Sequence, residues 1–190
     1  MNVKLQGLLN AAELIEQRYG PEALARVLQR CNEEVDARYR AGIAIEWHPM
    51  EELVEFLRVA DDELGRGDGG LAIEAGAAGA RKNLQGTFKQ AFLWLANPGF
   101  ALRRVAALWR QFNDRGEMRI NELRDGFTEI EILDVDTPHY LFCCTITGWA
   151  MEVARASGRP KAKVHKELCR AKGDARCLWK LEWAPLGAGA

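Results

Sequence analysis

From Tyr140 to Ala154 the sequence reads YLFCCTITGWAMEVA, and Glu152 is the only charged side chain in it. A helix that is apolar nearly all round must be buried on more than one side. The runs on either side of it obey a different period. Upstream, EMRINELRDGFTEIEILDV alternates, with Asp125-Gly126 placed where a tight hairpin turn needs positive backbone angles. Downstream, KAKVHKELC and RCLWKLEW alternate again, joined by a polar link over 170–175. The turn is expected at Lys172-Gly173-Asp174, where glycine supplies a positive φ and the aspartate hydrogen-bonds back to the turn amides. A buried helix between two hairpins admits few architectures. The expected fold class is α+β, with an antiparallel sheet made of two hairpins flanking that helix.

The N-terminal two thirds follow the helical period. LLNAAELIEQRYG places Leu9, Ala12, Ile15 and Tyr19 at helical intervals and stops at Gly20. Pro21 suits the first turn of a following helix through Arg40, where its missing N–H costs nothing. Ile43–Trp47 reads as extended, and His48-Pro49 punctuates it before a helix with Leu53, Leu57 and Ala60 on one side. GRGDGG then reads as a helix-terminating loop; a phosphate cradle would need a lysine and a hydroxyl residue where Leu71-Ala72 stand. Beyond it come a run of small residues and two aromatic-rich helical segments, FKQAFLWL and ALWRQF, separated by Asn97-Pro98-Gly99. One domain is expected over 1–185, with 186–190 a flexible tail.

Composition excludes several function classes. The 26 Lys and Arg against 27 Asp and Glu are interspersed, so no electrostatic case exists for nucleic acid or an anionic membrane. The apolar runs are too short for a membrane span, the start lacks an export signal, and five cysteines are an odd number. A cytoplasmic location with reduced thiols is expected. No enzyme is expected either. Ser157, the single serine, sits near a helix end, no Cys–His pair stands out, and no nucleotide fingerprint supplies hydride.

The cysteines carry the sharpest chemical question. If Cys169 faces Cys177 across the hairpin, alternation puts His165, Glu167, Cys169, Cys177 and Trp179 on one face. The helix bearing Cys143 and Cys144 is expected to pack there. Cys143, Cys169 and Cys177 with Glu167 or His165 would make a tetrahedral zinc site. The alternative is that these cysteines pack as small hydrophobes.

The segment FCCTITGWAMEVARASGRPKAKVHKELCRAKGDARCLWKLEW resembles the end of 4-vinyl-reductase-type domains, in the wider superfamily that includes TRAPP subunits. The shared positions are Cys143 or Cys144, Gly148-Trp149, Cys169, Gly173-Asp174 and Cys177. Upstream, EWHPMEELVEFL and ALWRQFNDRGEMRINEL are similar to an uncharacterised, heme-NO-binding-like myxobacterial family. The resemblance implies an α/β fold, a homodimer and an internal cavity for a small apolar, aromatic or acyl ligand. Zinc-binding members carry glutamate where this chain has Lys166. Heme is not expected, because His48, His139 and His165 all lack a recognisable heme-ligand context.

The function expected is therefore a non-enzymatic sensory or regulatory domain, binding an apolar ligand beside the 139–156 helix and signalling to an unidentified protein partner. Trp94, Trp109 and Thr147 are the expected cavity-lining residues. The alternative is a dimeric adaptor with no ligand and a filled core.

Overall fold

The computed structural model describes residues 1–85, 106, 107, 109–136, 138–159 and 161–184. The chain starts on a short strand, β1 (Asn2–Lys4), which pairs antiparallel with β2 (Trp47–Pro49). Between them run three helices. α1 (Gln6–Tyr19) turns Leu8, Ala11, Ala12 and Ile15 into the core and stops where Gly20 adopts φ 86°. α2 (Pro21–Arg30) starts on its proline, as expected. The helix read through Arg40 is in fact divided. Cys31 is extended, and the Asn32 side chain accepts the Val35 N–H at 3.0 Å, opening a new helix, α3 (Glu33–Ala41). An asparagine oxygen offers an early amide a better partner than a continued turn does.

The run expected to be extended at Ile43–Trp47 is mostly a turn. Glu46 closes it twice, its amide donating to the Ile43 carbonyl and its carboxylate accepting the Ile43 N–H, both at 3.0 Å. α4 (Met50–Leu64) then leads into GRGDGG, which is a loop. Asp61 in α4 reaches across it and accepts the amides of Gly69 at 2.7 Å and Leu71 at 3.1 Å. That carboxylate satisfies the free amides at the start of α5 (Gly70–Gln85). Residues 106–107 and 109–112 are helical as well.

The C-terminal part follows the sequence reading. β3 (Glu117–Arg124) and β4 (Phe127–Leu133) form a hairpin around Asp125-Gly126, with Gly126 at φ 84°. The apolar run is α6 (Tyr140–Ala156), and β5 (Lys163–Leu168) and β6 (Cys177–Glu182) form the second hairpin. All four strands join one antiparallel sheet in the order β3-β4-β6-β5. The fold class is α+β. Among the described residues no helix is long and apolar enough to cross a membrane.

α6 is buried on two sides because it meets α5 on one and the sheet on the other. Against α5 the backbones touch through glycines: a Cβ on Gly148 would collide with the Ile73 carbonyl, and one on Gly76 with the Thr145 carbonyl. Toward the sheet, the fully buried Trp179 of β6 donates its indole N–H to the Thr147 hydroxyl at 2.9 Å. Burying a side chain that large contributes roughly 1.5–3 kcal/mol or more, and the hydrogen bond satisfies its one polar atom. The single charge of the helix is matched too. Glu152 accepts from Arg155 at 2.9 Å and lies 3.4 Å from Arg81 of α5.

Candidate functional site

A cavity of about 170 Å³ lies between α1, α4, α5 and α6, with Trp109 and Met118 of β3 also on its wall. Its origin is the small-residue run of α5. Gly76 is used up by the close crossing with α6, but a Cβ on Gly79 would meet only the Asn10 amide, at an ordinary 3.5 Å. Glycine there, with Ala75 and Ala80 beside it, leaves the wall without side chains to fill the space. The remaining wall is mostly apolar, from Leu53, Leu57, Phe142 and Ile146. Trp109 packs edge-on to Phe142, with centroids 6.2 Å apart, and its indole donates to the Arg115 carbonyl at 2.9 Å. The polar exceptions include Lys4, Asn113, Thr145 and three amides on or facing α1: Gln6 donates to Asn83 at 3.0 Å, and Asn10 is on α1 with Gln6.

Of the residues singled out from sequence, Trp109 is on this wall and Trp94 lies outside the described residues. Thr147 is on the opposite side of α6, accepting from Trp179 and donating to the Cys143 carbonyl at 3.1 Å. The wall residues of α6 are instead Phe142, Thr145, Ile146 and Trp149. Gln6, Asn10 and Asn83 were not foreseen, and the signal for them was the glycine–alanine pattern of α5, which marks where volume is missing.

The three cysteines do come together. Cys143 and Cys177 lie with their sulfurs 3.8 Å apart, Cys169 is 4.0 Å from Cys143, and all three pairs are within 4.8 Å. Each is almost completely buried. Hydrogen bonding from Cys143 holds the Cys177 thiol well below its ordinary range, helped by the Arg170 amide and by the charge of Lys166; the same bond and burial push Cys143 up. The backbone supports the loop: the Cys169 amide donates to Asp174 at 2.7 Å, and the Arg170 amide to the Cys177 sulfur at 3.4 Å. Gly173 ends the turn at φ 97°.

The expected companions of these thiols are elsewhere. A β-bulge between Lys166 and Leu168 shifts the register, so that Lys166 faces Trp179 and Leu168 faces Leu178. His165 and Glu167 are therefore exposed, and Glu167 pairs with Lys180 at 3.3 Å. Lys166 takes the inward position instead. Its ammonium lies 3.2 Å from the Trp179 ring centroid, buried and without a hydrogen-bond partner among the described residues.

With this geometry in view, the chain can be set beside known proteins. No protein-family model and no curated protein matches the sequence. Solved structures do match. An H-NOX protein from K. algicida in the Fe(II) unliganded state aligns with TM-score 0.72 and 10% identity, covering 94% of this chain and 96% of that one. One from S. oneidensis in the Fe(II)NO state aligns with TM-score 0.70 and 12% identity, covering 95% and 99%. The fold is the H-NOX fold. A third match, from work on heme distortion in the H-NOX family, has TM-score 0.71 and 10% identity over 96% of each chain.

These likenesses correct the family expected from sequence. The cysteine hairpin resembles that of 4-vinyl-reductase-type and TRAPP-like domains, but the arrangement of the whole chain is that of H-NOX structures. The cofactor expectation is corrected with it. The matched structures are those of iron and heme proteins; they overturn the expectation against heme drawn from the surroundings of three histidines, and they give zinc no support. The wall of the cavity provides the test of fit. Heme iron takes axial ligands from histidine, cysteine, methionine or tyrosine. His48 is buried beside Glu52, its Nδ1 3.1 Å from that carboxylate; His139 caps α6 by accepting the Leu141 amide at 3.2 Å; His165 is exposed on β5. None of them is on the wall, where Met118 is the only described side chain with such a donor. A histidine-held heme does not fit the cavity as described.

Proposed function

We propose that this chain is a non-enzymatic sensory or regulatory domain that takes a small apolar ligand into the cavity and signals through α6 to a protein partner. The observation that carries the reading is the cavity itself, about 170 Å³ of mostly apolar space built by omitting side chains from α5. An apolar cavity of about 150 Å³ admits benzene or xenon, so the ligand class is that size or slightly larger. Trp109 is the proposed aromatic contact, and the Gln6–Asn83 pair gives a ligand with one polar atom a partner. The fold supports the sensory reading, since the S. oneidensis protein of the same fold was captured with NO on its iron.

α6 is the proposed output element. Phe142 and Ile146 line the cavity and also a crevice of about 10 Å³ that reaches Cys143, Cys177 and Trp179 on the sheet side. A ligand that displaces these side chains pushes on both layers at once. A homodimer belongs to the proposal as well. Ile15 and Phe56 are buried within one chain, so its interface must use other side chains, such as the half-exposed Met151 of α6.

The test is to purify the chain from cells grown with added heme precursor, record its visible spectrum, and identify released small molecules by mass spectrometry after denaturation. A released apolar molecule, or a saturable thermal shift with benzene-sized ligands, supports the reading. No ligand and no shift would favour the adaptor reading. One heme per chain would replace the direct apolar contact with an iron-held ligand.

A further inference from the structure

Outside the cavity, one cluster has the makings of a site that the proposed function does not use. We propose that Cys143, Cys169 and Cys177 form a three-coordinate site for a soft monovalent ion of the Cu(I) class. The sulfurs come from α6, from just past the end of β5 and from the start of β6; two of their separations are 3.8 and 4.0 Å and the third is within 4.8 Å. Three thiolates about 2.2–2.3 Å from an ion at the centre of their triangle stand roughly 3.8–4.0 Å apart. A disulfide requires about 2.05 Å, so neither pair is bonded.

The donor count decides the class of ion. Structural zinc is nearly always held by four protein donors. Here the cluster has three, and the residues that might have added a fourth, His165 and Glu167, are turned outward by the bulge in β5. The inward position belongs to Lys166, whose ammonium donates and cannot coordinate. Burial of all three sulfurs leaves little room for water to complete a tetrahedron. A closed set of three soft donors suits a soft ion that accepts three-coordination. Lys166 then offsets part of the negative charge of the thiolate–metal unit, and the Arg170 amide donates to one of its sulfurs at 3.4 Å. On binding, the thiol protons are released to solvent. The site is independent of the cavity reading and stands or falls without it.

The experiment uses the full chain, reduced and free of oxygen, titrated with Cu(I) from a competing chelator. One ion per chain is expected, with X-ray absorption showing three sulfur neighbours at about 2.2–2.3 Å. Cys169→Ser and Cys177→Ser should each lose that ion from the competition, whereas Cys31→Ser and Cys144→Ser should keep it. Because a serine variant could fail to fold, Lys166→Glu supplies a second arm. It adds a fourth donor, and should bind Co(II) as a tetrahedral probe more tightly than the wild type does. Failure of wild-type protein to take Cu(I) from the chelator, a two-sulfur spectrum, or tetrahedral Co(II) bound equally well by wild type and Lys166→Glu would overturn the proposal.

Discussion

His48 is nearly fully buried in β2, with Glu52 and the Arg38 guanidinium beside its ring and the backbone of Lys4 across the strand pair. Burial lowers its pKa, and the Glu52 hydrogen bond only partly opposes that. The folded state therefore prefers the neutral ring, while the unfolded chain takes up a proton near the ordinary value of about 6.5. Stability from this residue is complete above about pH 6.5 and falls as pH drops toward the depressed folded value, by at most about 1.4 kcal/mol per pH unit. His139, lowered by burial, adds to the same slope. Urea melts between pH 7 and 5 should show a shallower loss for His48→Gln than for wild type; an unchanged slope would contradict this account. At this scale the sequence was legible in part. The convergence of Cys143, Cys169 and Cys177 could be read from alternation and a shared helix, but their neighbours could not. One extra residue in β5 changes the parity of the strand, and nothing in the letters HKEL announces a bulge.

Two glycines on helices test the layer packing with opposite signs. Gly148→Ala places a methyl against the Ile73 carbonyl, backbone that cannot turn aside, and should cost about 1–3 kcal/mol or more. Gly79→Ala adds a methyl at ordinary contact distance in the cavity wall and should stabilise by up to about 1 kcal/mol through helix propensity. Chemical denaturation of both variants measures the pair; the same sign for both would refute the close crossing or the open wall. Asp61→Ala removes the acceptor for the Gly69 and Leu71 amides and should cost about 1–2 kcal/mol, visible as a lowered urea midpoint. Long periodic elements such as α1, α4 and α6 were legible because each has one apolar pattern to bury. The break at Asn32 was not, since its cap competes with an otherwise continuous helical period, and the three-residue strands β1 and β2 are too short to show alternation.

At the scale of the molecule, the α+β class followed from two hairpins around a charge-poor helix, but the likeness of the whole chain to H-NOX structures did not. At 10–12% identity the H-NOX structures share an arrangement of elements with this chain and few of its letters, whereas a local cysteine motif resembles another family. The cavity was legible only as a possibility, because a run of glycine and alanine permits either close packing or missing volume, and α5 does both. Light scattering at tens of micromolar should show a homodimer; a monomer would remove that part of the proposal. The central claim, a cavity that admits a small apolar molecule, is measured most directly by methyl NMR during a benzene titration. Leu53, Leu57, Met118 and Ile146 on the wall should shift together and saturably, and Gly79→Leu, which fills the space, should abolish the shifts. Shifts that never saturate, or that persist unchanged in Gly79→Leu, would contradict it.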